Sequence, residues 1–214
     1  MMIRRTFLAA FLGLTLIAAL TAAGPAFAAT SVEDGAKKFI NELSDQALKS
    51  LTTKGVPRSE RIERFRTLFN DNFAVTTIGQ WILGRYWRKA TDEQQKEYLK
   101  LFEDLIVVSY VDRFAQYTGE GLTINKTLAN NDRMATVFSE ITQPGNTTPV
   151  RVDWRVGKNS DKYKIFDVVV EGTSMSQTMR SDFGSIIRQK GGEISGLIEV
   201  LREKTASLKK EIDR

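Results

Sequence analysis

The stretch VRVDWRVGKNSDKYKIFDVVV, residues 150–170, decides the fold of this chain. Its first seven residues alternate between two faces: Val150, Val152, Trp154 and Val156 on one, Arg151, Asp153 and Arg155 on the other. A polar break at 157–161 follows, and then a run that is almost wholly apolar. This pattern predicts two antiparallel strands in a sheet with one covered face and one face in water.

The neighbouring segments extend this prediction in both directions. Four strands are expected, at 122–128, 134–142, 149–157 and 162–171, because Asn-, Asp-, Gly- and Pro-containing joints separate them. Helical spacing of apolar residues predicts six helices, at 32–51, 58–70, 73–83, 91–117, 176–190 and 194–212. Thr91 and Gln94 form a capping box at the start of the longest helix. We therefore expect an α+β fold, with several helices wrapped on a curved four-stranded antiparallel sheet.

The first 28 residues are typical of a secretory signal peptide. Arg4 and Arg5 precede an apolar run at 7–20, and Ala26-Phe27-Ala28 forms a cleavage site. The alternative is a retained anchor, but the run is short for a span of about 20 residues. A lipoprotein anchor is excluded because the chain has no cysteine. We expect cleavage after Ala28, a single domain at 29–214, and a periplasmic location.

Composition excludes several classes of function. The chain of 214 residues carries 31 basic and 26 acidic residues, a formal charge of +5 that falls to +3 without the leader's two arginines. No concentrated basic stripe suggests nucleic-acid binding. Histidine and cysteine are absent, which excludes Ser-His-Asp, Cys-His and His-containing zinc sites. We expect no catalytic residue, no cofactor and no metal.

Long apolar side chains on the longest helix, the last two strands and the following helix are candidates for a pocket lining. They are Phe102, Leu105, Ile106, Tyr110, Phe114, Val152, Trp154, Ile165, Val168, Val170, Met175, Phe183 and Ile187. Ordinary core packing is the alternative, because periodicity does not distinguish a filled core from a lined cavity.

Four polar residues are candidates for the mouth of such a pocket. Arg85 and Tyr86 follow a helix stop, while Ser174 and Arg180 lie near a helix start. Arginine forks and helix N-termini suit phosphate. The alternative is helix capping and surface ion pairs.

Short stretches that follow one another within about residues 60–205 resemble one family. They are FAVTTIG at 73–79, LGRYWR at 83–88, ATDEQ at 90–94, LFEDLIV at 101–107, SY at 109–110, VDWRV at 152–156, YKIFDV at 163–168, VEGTSM at 170–175 and RSDF at 180–183. The chain thus resembles the MlaC family of periplasmic phospholipid-binding proteins, also called the toluene-tolerance auxiliary substrate-binding family.

The resemblance implies an NTF2-like fold with a deep apolar pocket. It also implies a phospholipid carrier that shuttles between an outer-membrane lipoprotein–porin complex and an inner-membrane ABC transporter, and so maintains outer-membrane lipid asymmetry. We expect such a carrier to be a monomer.

Two other functions stay open on the residues. An enzyme could use a carboxylate and a tyrosine for proton transfer, and Asp153, Asp167, Tyr110 and Tyr163 are the available groups. A structural adaptor between membrane complexes would have a filled core and no cavity.

Overall fold

A computed structural model describes residues 31–53, 55–115, 121–142, 148–160 and 162–210, except the side chains of 114, 115 and 210. The expected signal peptide lies outside these ranges. The α-helices are α1 Val32–Leu51, α2 Arg58–Asn72, α3 Val75–Leu83, α4 Asp92–Ala115, α5 Met175–Gln189 and α6 Ile194–Lys210, and a 3₁₀ turn at Gly84–Lys89 follows α3. No helix within the described ranges has the length and apolar character needed to cross a membrane.

One antiparallel sheet of five strands lies within the described residues, in the order β1-β2-β3-β4-β5. The strands are β1 Leu122–Asn131, β2 Met134–Ile141, β3 Val150–Asn159, β4 Lys162–Val170 and β5 Thr173–Ser174. Strand β4 carries an extra residue, Phe166, because Arg155 pairs with Asp167 and Val156 with Ile165. Such a bulge bends a strand.

The α+β class and the six helices are confirmed. Helix ends that fall within the described residues differ from the expected ones by at most two residues, and the expected ends of α4 and α6, at 117 and 212, lie outside the described residues. The capping box is also present: Gln94 N–H donates to Thr91 Oγ1 at 3.3 Å, and Thr91 N–H donates to Gln94 Oε1 at 3.0 Å.

The prediction of four strands is wrong by one. Glu171 and Gly172 both have positive φ, at 49° and 79°. Two such residues make a tight hairpin turn, which folds Thr173–Ser174 back onto Val169 and Val170 as β5. Strand β1 is also longer than expected, because Asn131 pairs with Met134 across a two-residue turn.

The apolar interior is divided into two cores. The helical core contains buried residues of α2 to α6, including Tyr98, Phe102 and Leu197. The sheet core lies between α1 and the strands and includes Ile40 and Val156. Phe73 packs against both cores.

A short seam of polar contacts joins the two halves at β4. The Ala74 N–H donates to the Ile165 carbonyl at 2.9 Å. Lys164 Nζ donates to the carbonyls of Asn70 and Asp71, at 2.9 and 2.6 Å, where α2 ends. A cation there satisfies carbonyls that have no partner within the helix.

An ion-pair network ties α2, α4 and α6 together. Arg66 reaches Glu103 at 2.6 Å and Asp104 at 2.9 Å, and Lys209 reaches Asp104 at 3.1 Å. The Asp104 side chain is only 10% exposed, so its charge depends on these partners.

We expect Arg66→Ala to lower the free energy of unfolding by about 2 kcal/mol, because it leaves two shielded carboxylates with fewer partners. Urea unfolding at neutral pH measures this. The matched control is Arg202→Ala, which removes a pair with Glu97 whose arginine side chain is 58% exposed. Equal losses in both variants would contradict the role given to the network.

Candidate functional site

A cavity of about 320 Å³ lies between the helical core and the sheet core. Helix α1 supplies one wall, α2 and α3 a second, α4 a third, and the ends of the strands with the start of α5 close it. The lining is Ile40, Leu43, Ser44, Ala47, Leu48, Leu51, Phe65, Leu68, Phe69, Phe73, Ile78, Phe102, Ile106, Tyr110, Leu122, Ile141, Trp154, Phe166, Asp167, Val168, Val170, Met175, Ser176 and Met179.

The cavity extends to one end of the sheet. Leu122 pairs with Ile141 there, Ile141 pairs with Val150, and Val170 ends β4. Tyr110 lines the cavity from the last part of α4, with the Arg113 guanidinium 5.2 Å from its ring centroid. A cation therefore lies beside the lining at this point.

Polar groups in the cavity wall are paired with one another. The Trp154 Nε1–H donates to Ser139 Oγ at 2.9 Å, and Ser139 Oγ–H donates to the Val152 carbonyl at 2.7 Å. Because the indole N–H has an acceptor inside the wall, the ring can present an apolar surface to the cavity without an unsatisfied donor.

Asp167 brings a carboxylate into the wall, and its oxygens accept several hydrogen bonds. Ser174 Oγ–H donates at 2.6 Å and the Ser176 N–H at 3.1 Å, while Arg155 Nη1 lies 3.1 Å away. Ser174 also caps α5, accepting from the Gln177 N–H at 3.1 Å. The carboxylate thus fixes the start of α5 against β4, where a negative charge is favourable.

The structure brings part of the predicted pocket together. Seven of the predicted residues line the cavity: Phe102, Ile106, Tyr110, Trp154, Val168, Val170 and Met175.

Five other predicted residues lie outside the lining. Leu105, Phe183 and Ile187 pack in or against the helical core. Ile165 is fully buried in the sheet core, and Val152 is buried beside its pairing partner Ser139. Burial alone does not identify which residues meet the cavity, because Phe102 in the lining and Ile187 in the helical core are both almost completely buried. Phe114 lies outside the residues whose side chains are described.

None of the four predicted mouth residues lines the cavity. Arg85, Tyr86 and Arg180 meet instead at a separate cleft of about 260 Å³, which shares no lining residue with the cavity. Ser174 is engaged in capping α5. The separation arises because the cleft lies near the end of α3 whereas the cavity meets α3 at Ile78, about one helical turn earlier.

Sequence reasoning missed the contribution of α1 and α2. Leu43, Ala47, Leu48 and Phe65 line the cavity, yet their helical spacing also fits a plain core face. Their only distinguishing property is incomplete burial, which a sequence does not reveal.

Potential metal ligands and the buried Tyr98 are two features of the described residues that bear on their chemistry. Within them, no group of three acidic side chains could hold a metal ion. Tyr98 is fully buried and donates to the Gly79 carbonyl at 3.1 Å, and burial raises the pKa of its hydroxyl. It is therefore a neutral structural donor.

Comparisons with known proteins agree on one family. The model of the family described as MlaC protein matches residues 41–203. The chain is 26% identical over 117 residues to the "Intermembrane phospholipid transport system binding protein MlaC" of Haemophilus influenzae, covering 53% of this chain and 54% of that protein. It is 24% identical over 130 residues to the "Toluene tolerance protein ttg2D" of Pseudomonas putida, covering 60% of each. The chain thus spans a little over half the length of these curated relatives.

A solved structure shows the same fold. It is that of a phospholipid-binding protein from Ralstonia solanacearum in complex with a phospholipid, with a TM-score of 0.69 and 24% identity. The match covers 83% of this chain and 98% of that one. Because the family model matches well over half of its residues, this chain belongs to the MlaC family.

Proposed function

We propose that the protein is a periplasmic phospholipid carrier and that the cavity between its two cores holds the acyl chains. The carrier works as a monomer, with an NTF2-like arrangement of helices around the sheet. It shuttles lipid between an outer-membrane lipoprotein–porin complex and an inner-membrane ABC transporter, and so maintains outer-membrane lipid asymmetry. The observation that carries the proposal is the apolar cavity of about 320 Å³.

The chemistry of the cavity suits an acyl chain. Each CH₂ group taken out of water contributes about 0.8 kcal/mol, so a lipid with roughly 30 of them faces a barrier of some 20 kcal/mol to cross water alone. Walls made of leucine, isoleucine, valine and phenylalanine lower that barrier. The volume is near the lower end of the ~300–1,000 Å³ range of small-molecule sites, which fits tails better than a whole lipid.

The headgroup belongs outside the cavity in this proposal. Polar groups in the wall, such as the Trp154 Nε1–H and the Asp167 carboxylate, already have protein partners. The headgroup then lies at the end of the sheet marked by Leu122 and Ile141, near Arg113. Weak headgroup selectivity follows, since few polar groups reach it.

The relatives support phospholipid as the bound ligand and transfer between two membranes as the process. One is named as part of an intermembrane phospholipid transport system, and the structural neighbour holds a phospholipid. A signal peptide at 1–28 would deliver the chain to the compartment between two membranes. No bond changes during transfer, so a chain without histidine can perform it.

The enzyme and adaptor alternatives have less support. Of the four groups named for an enzyme, Asp153 and Tyr163 do not line the cavity. Asp167 and Tyr110 do line it, but serines and an arginine already engage the Asp167 carboxylate. A structural adaptor would be expected to have a filled core.

Organic extraction of the purified protein, followed by mass spectrometry, tests the carrier. We expect phospholipid in stoichiometric amount, because the cavity offers tails an environment like a bilayer interior. Protein that carries no lipid and takes none up from vesicles would overturn the proposal.

Substitutions in the lining test the location of the tails. Ala47→Trp fills the cavity without adding charge, while Tyr110→Arg and Val168→Asp place charge in its wall. We expect each to reduce bound lipid at least tenfold while the helical circular-dichroism signal persists. The control is Ala206→Trp, at an exposed position on α6. Unchanged lipid in all three variants would place the tails elsewhere.

Asp167→Asn separates a structural role from a ligand contact. We expect a loss of about 1 kcal/mol in the free energy of unfolding, because the amide accepts fewer of the hydrogen bonds made at the start of α5. Bound lipid, measured by mass spectrometry, should remain. Loss of lipid with unchanged stability would instead show that the carboxylate contacts the cargo.

A further inference from the structure

The second cleft has a floor of apolar residues and a rim of arginines. We name it the arginine cleft; its lining is Ile82, Leu83, Arg85, Tyr86, Arg180, Gly184, Ile187 and Arg188. These residues come from α3, the 3₁₀ turn and α5. The cleft is thus built on the packed pair α3–α5 and shares no lining residue with the lipid cavity.

The Arg180 guanidinium is held in a defined position. Its carbon lies 4.7 Å from the centroid of the Trp81 ring, and its Nη1 donates to the Trp81 carbonyl. Gly84, at φ 53°, makes room for it, because a Cβ at that position would lie 2.8 Å from Arg180 Nη2. Trp81 is itself 46% exposed, so this arrangement lies at the surface.

Arg85 is also held, on the other side of the cleft. Its guanidinium carbon lies 5.1 Å from the centroid of the Tyr86 ring, and Nη2 lies 3.2 Å from the Tyr86 hydroxyl. That hydrogen bond lowers the pKa of the Tyr86 hydroxyl, and the charges of Arg85, Arg188 and Lys89 act in the same direction. The charges of Arg85, Arg188 and Lys89 therefore create a positive electrostatic field around the Tyr86 hydroxyl.

This field lacks a neutralising partner in the part of the chain that the structure describes. There, Arg85, Arg180 and Arg188 form no ion pair with any carboxylate, whereas Arg58, Arg64, Arg66 and Arg202 all do. A concave site lined by one sign of charge concentrates ions of the opposite sign.

We propose that the arginine cleft binds a phosphate group, at a site distinct from the lipid cavity. Guanidinium forks match the oxygens of phosphate in pairs, and three of them offer more donors than one carboxylate can accept. The phosphate belongs either to a soluble phosphate compound or to a lipid headgroup at a membrane surface. In the second case the cleft orients the carrier on an anionic bilayer.

The test measures binding of soluble phosphate compounds and of lipid vesicles to the purified protein. Calorimetry with inorganic phosphate and with glycerol 3-phosphate covers the soluble source. Co-sedimentation with phosphatidylcholine vesicles, with and without phosphatidylglycerol, covers the lipid source. Binding in either arm supports the site and identifies its source, provided that Arg180→Gln and Arg188→Gln each weaken it at least fivefold.

Two further variants separate a built site from simple charge. Arg133→Gln removes the same charge at an exposed turn, and we expect binding to change less than twofold. Trp81→Leu keeps every charge but removes the ring on which Arg180 stacks, and we expect a clear loss of affinity. Circular dichroism checks that each variant is folded.

The proposal is overturned if neither the phosphate compounds nor the vesicles bind, if Arg180→Gln and Arg188→Gln leave binding unchanged, or if Arg133→Gln weakens binding as much as they do. Lipid in the cavity, measured by extraction, should be unchanged in Arg180→Gln. The experiments can therefore contradict the phosphate site without contradicting the proposed carrier function, and the reverse.

Discussion

The contact on which the whole structure depends is the seam between β4 and the junction of α2 with α3. One main-chain hydrogen bond, from Ala74 N–H to the Ile165 carbonyl, attaches the helical half to the sheet, and Lys164 adds two bonds to the carbonyls that end α2. The two cores approach each other at Phe73 and diverge beyond it. The cavity lies between the two cores, and contacts of α1 with α2 and of α5 with β4 also join the halves beside it.

An interior of this kind links stability to occupancy. Protein cores are close-packed, and apolar walls that face an empty space lose the dispersion contacts that they would otherwise make. A ligand that binds only the folded state restores such contacts and stabilises the fold by mass action. The ion-pair network of Arg66 with Glu103 and Asp104 includes none of the residues that line the cavity, so a ligand in the cavity does not touch the groups that form it.

Sequence patterns predicted secondary structure best where a local rule alone determines the conformation of a segment. The alternation at Val150 to Val156 and the capping box at Thr91 each follow from a single local rule, and both elements are present. Strand β5 was missed because it depends on Glu171 adopting a left-handed conformation that is unusual for a residue with a side chain. The bulge at Phe166 in β4 was not predicted because it is defined by the pairing of β4 with β3, which the sequence of β4 alone does not show.

The candidate site was harder to predict because a residue facing a cavity and a residue facing a core have the same chemistry. Val168 and Ile165 belong to one strand, yet Val168 lines the cavity and Ile165 is fully buried in the sheet core. None of the four polar candidates for the mouth lines the cavity. Arg85 and Arg180 were expected at the mouth because arginine suits phosphate, but the α3–α5 pair directs them to a different cleft.

The seam also bears on how this family can diverge. Its main-chain bond uses an N–H and a carbonyl, which nearly every residue supplies, so substitutions in the cavity wall leave that bond intact. Mutations can then widen, narrow or lengthen the cavity while the architecture persists, as the retained fold at 24% identity illustrates. A lineage that meets membranes of new composition can therefore reshape this cavity one wall residue at a time.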